Sequence, residues 1–290
     1  MAVRPSPAPL ITAAVVGGLL LVTGVVLLLM PADDDVLGLG APTEQAPTGE
    51  PTPGPTTEPT AEPTDQPAED GAIAGVIPDD PSVAPGQPVS SQLPGLIDDR
   101  PMACGAGEPA NVGEVKPRYP GGPLGVLEQG VDYAAVVQTS CGTVTIDLLQ
   151  DDAPQTVNSF VFLADQGFFD GIEIFRNATS IGALQTGGGD NTNTWQIGYR
   201  LPDELDGAIT EGYPVGSVAM ANAGPDTGGS QFFVVYDETF EQAFQANRAY
   251  TVFGQVVEGL DVWQQIGAIG VDGERPIERT YIESVTIRRQ

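Results

Sequence analysis

The chain contains no histidine. That excludes Ser-His-Asp and Cys-His nucleophiles and every His-ligated zinc site. Cys104 and Cys141 are its only cysteines. In an exported domain an even pair favours a disulfide over a reactive thiol, with two buried free thiols as the alternative. Closed, that loop would stabilise by roughly 4 kcal/mol in the chain-entropy model. A different kind of candidate is GSVAMANAGPDTGGSQFFVV at 216–235, where two strand-type apolar runs flank small and polar residues. It holds no obvious acid, base, nucleophile or metal ligand; it offers backbone groups and one Phe pair. Two weaker motifs are GGGDN at 187–191, which as a lone copy reads as a glycine loop rather than a calcium repeat, and the sequon Asn177-Ala178-Thr179.

The elements that must position these residues are unevenly spread along the chain. Leu10–Met30 is uncharged and follows Arg4; as a helix it would be roughly 31 Å long, close to one hydrocarbon core. The reading is an uncleaved transmembrane helix at 10–30 with residues 1–9 cytoplasmic and the remainder exported, against a cleaved signal peptide. Residues 31–100 hold 14 Asp/Glu and a single base, Arg100. This Pro/Thr/acid-rich stretch reads as a disordered, extended linker. It would act as a spacer, with docking of Pro-recognition modules, or its own X-Pro bonds as substrates, as lesser readings. The disulfide would tie an extension at 101–130 onto a domain at 131–290. That domain holds 22 acids against 7 bases. Nothing in it is a basic footprint for nucleic acid; the acidic surface reads as solubilising, or as steering toward basic peptides.

Within the domain, YAAVVQTS and GTVTIDLL form a hairpin pattern. DDAPQTVNSFVFLADQG carries apolar residues at 157, 160, 161 and 164, one helical face closed by Gly167. Strands are expected near 172–176, 181–186, 216–221, 231–236 and 251–257, then a short helix in LDVWQQIGAI and a final strand in TYIESVTIRR. Eight strands and two helices predict a mainly β fold, a closed eight-stranded antiparallel barrel capped by two helices.

Four stretches in order, FDGIEIFR (169–176), LQTGGGD (184–190), MANAGPDTGGSQFF (220–233) and YTVFGQVVEGLDV (250–262), resemble the cyclophilin family of peptidyl-prolyl cis-trans isomerases. The resemblance spans about Tyr133 to Thr286. It implies the cyclophilin-like barrel, no cofactor and no metal. Counting forward from Asp170-Gly171 places the family's catalytic arginine at Arg176, whereas counting back from Gln185 would place Asn177 there; the forward count is preferred. The resemblance further implies that Gln185 binds the substrate backbone and orients the arginine, and that Ala221 and Asn222 bind peptide through backbone groups. Gln231 would be a second groove polar and Phe233 the floor of the proline pocket. Tyr250 stands where relatives carry His or Tyr, and Phe244 would supply a wall. Where the family has an aromatic and a Met, this chain has Gly182 and Ala183, which would thin the pocket by about 1–3 kcal/mol of apolar burial.

The implied partners are proline-containing peptides or unfolded exported proteins, the membrane through the N-terminal helix, and a cyclosporin-type ligand bound weakly. Isomerisation needs no proton transfer, so the lack of histidine is no obstacle. The alternatives are a catalytically impaired proline-peptide receptor or chaperone with the same groove, and a purely structural envelope domain.

Overall fold

The computed structural model describes residues 71, 73–90, 98–114 and 116–290. The expected membrane helix at 10–30, the segment 1–9 and the linker as far as residue 70 lie outside the described residues. In chain order the strands are β1 (Ile77–Pro78), β2 (Tyr133–Thr139), β3 (Gly142–Leu148), β4 (Ile172–Glu173), β5 (Arg176–Ala178), β6 (Ala183–Thr186) and β7 (Tyr199–Arg200). They continue as β8 (Ser217–Met220), β9 (Phe232–Val235), β10 (Val252–Glu258), β11 (Val271–Asp272), β12 (Arg275–Pro276) and β13 (Tyr281–Arg289). The helices are α1 (Pro154–Asp165), α2 (Asp206–Glu211), α3 (Thr239–Phe244) and α4 (Leu260–Gly267), with a 3₁₀ turn at Ala103–Gly105.

One antiparallel sheet of nine strands, in the order β4-β13-β2-β3-β10-β8-β9-β6-β5, forms a half-barrel. The expected closed eight-stranded barrel is corrected here. The stretch 172–176 is not one strand but two: β4 pairs with β13, β5 with β6, and no ladder among the described residues joins the two ends. The chain itself crosses from one edge to the other through Ile174 and Phe175, and Ile174 still donates its N–H to the Thr280 carbonyl. Two further helices, α2 and α3, were not expected, because each has only 6 residues, too short for a sustained apolar period.

The α1 helix has the face its spacing predicts, with Val157, Phe160, Val161 and Ala164 all buried. Its first N–H groups lack a local side-chain cap. The Glu204 carboxylate serves instead, accepting from the N–H groups of Gln155 and Thr156 at 2.9 Å each. Phe160 packs against Phe169, Phe232 and Phe253, with ring centroids 5.0, 5.6 and 5.3 Å away, and these rings centre the main core. A second apolar cluster gathers around Phe233, Phe240 and Tyr213.

Residues 73–90, within the stretch read as linker, contact the domain. β1 pairs with β7, Val89 bridges Arg118, and Val76 packs on the main core. Backbone pairing and Val76 hold this part against the domain, while the side chains of Ile77 and Val89 stay exposed. Arg100 reaches further still: its guanidinium bonds Asp98, Glu173 and the Pro276 carbonyl. Cys104 and Cys141 form a disulfide that ties the extension to the β2–β3 turn.

Candidate active site

Strand pairing assembles the polar half of the site. In the β5–β6 ladder Arg176 lies opposite Gln185, and in β6–β9 Gln185 lies opposite Phe233. The Arg176 Nη1 donates to Gln185 Oε1 at 2.8 Å, and Gln185 Nε2 donates to Gln231 Oε1 at 2.9 Å. Gln231 Nε2 in turn donates to the Trp195 and Asn193 carbonyls, at 3.1 and 3.2 Å. Each amide therefore has its orientation set by the next group along the chain of bonds.

Asn177, the other residue considered for the arginine's place, is fully buried on the opposite face. Its Nδ2 donates to the Gly267 carbonyl at the end of α4, and its Oδ1 accepts from the Tyr236 hydroxyl. That burial also closes the sequon to modification of the folded chain.

The aromatic half comes from β9, α3 and the loop before β10. Phe233 packs on Phe240 with centroids 5.0 Å apart and meets the edge of Tyr250 at 5.2 Å. Phe244 stacks on Phe240 with centroids 4.6 Å apart and meets Tyr250 at 5.5 Å, so both Phe244 and Tyr250 pack on the Phe233 cluster. The buried Tyr213 holds this loop in place. Its hydroxyl accepts from the Tyr250 N–H at 3.0 Å and donates to the Tyr250 carbonyl at 3.3 Å. Burial pushes the Tyr250 hydroxyl upward while the Arg176 charge draws it down, the burial being the larger influence. Tyr250 is thus protonated at neutral pH and contributes its ring to the cluster.

Gly182 has φ +66°, and a Cβ there would lie 2.4 Å from the Asp237 Cβ. The turn, not the pocket, demands glycine at this position. Ala183 and Ile181 both lie in the Phe233 cluster, so Ile181 supplies apolar surface next to the expected gap. Phe240 and Tyr213 were missed by sequence reasoning. The spacing of Phe240 and Phe244, one helical turn apart, was the available signal.

Ala221 and Asn222 follow β8 and line a small cleft of about 70 Å³ together with Gln185, Trp195 and Gln231. The Ala221 N–H is committed to the Gln231 carbonyl at 2.9 Å, and Asn222 Nδ2 donates to the Ala249 carbonyl at 2.7 Å. On its other side Arg176 borders a larger groove of about 980 Å³ lined also by Phe175, Glu108, Asp190 and Glu274. Glu274 was not anticipated from the sequence. Its carboxylate accepts from Arg176 Nε at 2.7 Å and Nη2 at 3.1 Å. The glycine loop at 187–191 has its own steric reason: a Cβ on Gly189 would sit 2.6 Å from the Trp195 ring. Among the described residues no group of three or more His, Cys, Asp or Glu side chains could hold a metal ion.

The arrangement is an arginine with two anchored edges beside a packed aromatic cluster. The part-exposed guanidinium is placed to donate a hydrogen bond to a ligand.

Comparison with known proteins bears on this arrangement. The sequence model of the family described as cyclophilin type peptidyl-prolyl cis-trans isomerase/CLD matches residues 134–287. The chain is 37% identical over 166 residues to a probable peptidyl-prolyl cis-trans isomerase B of Mycobacterium tuberculosis strain H37Rv, covering 51% of this chain and 52% of that protein. It thus spans about half the length of that relative. It is also 37% identical over 147 residues to peptidyl-prolyl cis-trans isomerase ppi1 of Schizosaccharomyces pombe, covering 49% of this chain and 90% of that one. A solved structure of a Cryptosporidium parvum cyclophilin type peptidyl-prolyl cis-trans isomerase aligns at 23% identity and a TM-score of 0.47, over 54% of this chain and 98% of that one.

Proposed function

This chain belongs to the cyclophilin-type peptidyl-prolyl cis-trans isomerase family, and on that premise we propose that it accelerates rotation about X-Pro bonds. Amide resonance sets a barrier of about 18–20 kcal/mol to that rotation. An enzyme lowers it by holding the twisted amide better than either planar isomer. In this reading the proline ring rests on Phe233, walled by Phe244, Tyr250 and Ile181. The Ala221 carbonyl and the Asn222 backbone bind the extended peptide. Arg176 donates an N–H toward the prolyl nitrogen as it pyramidalises, which weakens the resonance, and Gln185 keeps the guanidinium aimed. Arginine suits the task because it stays charged and presents several donors in a rigid plane.

The observation that carries the reading is the hydrogen-bonded sequence Arg176–Gln185–Gln231, laid alongside Phe233 by two adjoining strand pairs. The rival reading, a receptor that binds proline peptides without turning them over, rested on Gly182 and Ala183. Ile181 in the pocket cluster weighs against it. The uncharged run at Leu10–Met30 and the acidic stretch after it support a membrane-tethered, extracytoplasmic placement. Clients would then be exported proteins.

The test is cis–trans exchange of a short X-Pro peptide by the full-length chain and by Arg176→Ala. Clear acceleration that drops at least tenfold in the variant is expected, about 1.4 kcal/mol of transition-state stabilisation. Binding of the peptide with no acceleration would select the receptor reading.

A further inference from the structure

We propose that Glu274, on the β11–β12 hairpin, is a positioning residue for Arg176, and that the chain before the family domain holds it there; the inference rests on Arg176 acting as above. Arg176 is half-open to solvent, with a side chain 36% exposed. A long side chain in that setting is free to rotate and must be ordered before it can act. The Glu274 carboxylate removes that freedom by accepting from Nε and Nη2 in a two-point grip. Gln185 takes Nη1 from the other side. Two anchors on different edges of a planar group fix its tilt as well as its place, and the remaining N–H groups stay available to a ligand.

The carboxylate is delivered by backbone, independently of its own side chain. The Asn177 N–H, one residue after Arg176, donates to the Glu274 carbonyl at 2.8 Å. The following strand is held from outside the family match. Arg100 Nη1 donates to the Pro276 carbonyl at 2.6 Å, and Arg275 Nη2 donates to Asp98 at 2.8 Å. Residues 98–100 therefore pin β12, β12 presents Glu274, and Glu274 aims Arg176. A purely structural ion pair would need none of this alignment with the arginine's free edge.

The experiment compares the full-length chain with Glu274→Gln, Glu274→Ala and Arg176→Ala on the X-Pro peptide, measuring kcat and KM separately at low and high salt. Glu274→Ala is expected to lower kcat about fivefold with KM within twofold, because the grip matters most in the transition state. Glu274→Gln, which keeps one acceptor, should fall between. Salt should depress the parent enzyme toward the Glu274→Ala rate and leave that variant flat, since the pair is exposed and screened. The melting temperature should be unchanged in both Glu274 variants, which a merely structural contact would not combine with a kcat loss. If Glu274→Ala keeps the parent kcat while Arg176→Ala loses activity, the positioning role is overturned and the isomerase reading stands. If Arg176→Ala is fully active, both fall together. A loss that appears only in KM, or only alongside a lowered melting temperature, also overturns the positioning role.

Discussion

Arg100 and Arg176 each bond the β11–β12 hairpin and each pair with carboxylates, and they differ in almost everything else. Arg100 lies between Asp98 and Glu173, with side-chain exposures of 14%, 17% and 6%. Arg176 and Glu274 are 36% and 49% exposed. The buried cluster welds residues 98–100 to the domain; the open pair leaves its arginine reachable by a ligand. The same side-chain chemistry thus serves cohesion in one place and presentation in the other, and solvent access decides which. Within the buried cluster the two acids respond oppositely to one guanidinium. The hydrogen bond from Arg100 holds the Asp98 carboxyl down at about 2, whereas burial pushes Glu173 upward and outweighs its own bond to Arg100.

The largest break in this comparison is Arg100→Ala. It leaves Glu173 buried without its partner, and a stability loss of about 3 kcal/mol is expected in chemical denaturation. Arg176→Ala should reverse the pattern. Its stability should change by less than about 1 kcal/mol, as for an exposed pair, while isomerisation falls at least tenfold. Equal stability losses in the two variants would erase the distinction drawn here. The finest test is acid titration. Because Asp98 titrates in the folded state at about 2, below its usual 3.8, it adds stability that is complete above pH 3.8 and lost as the pH falls through about 2. Asp98→Asn should flatten that limb of the stability profile between those values, and an unchanged limb would show that the Arg100 bond does not set it.

Much of the fold was legible in short-range pattern. The β2–β3 hairpin, the buried face of α1 and the strand character of 216–221 and 231–236, observed as β8 and β9, all follow from alternation or period, which are properties of neighbouring residues. The strand expected at 172–176 shows where that reading ends. No Gly, Pro or turn residue interrupts it, yet β4 and β5 belong to opposite edges of the sheet, because the partners β13 and β6 come from distant parts of the chain. The docked segment 73–90 was hidden for a related reason. Its few apolar residues cannot hold a fold among themselves, and only contact with an already formed surface stabilises them. Glu274 is the sharpest case, lying 98 residues from Arg176 in sequence and bonded to it in space.

By itself the sequence determined which chemistry was available: no histidine, an arginine shortly after Asp170-Gly171, glutamines at 185 and 231, and an aromatic at 233. Local residue types settle such matters, since they decide which donors, acceptors and rings exist. Only the tertiary structure decided which arginine is sealed and which is offered, that Gly182 answers to a turn, and that Glu274 meets Arg176. Those outcomes depend on exposure and on pairing between remote segments, and neither quantity exists until the sheet has formed.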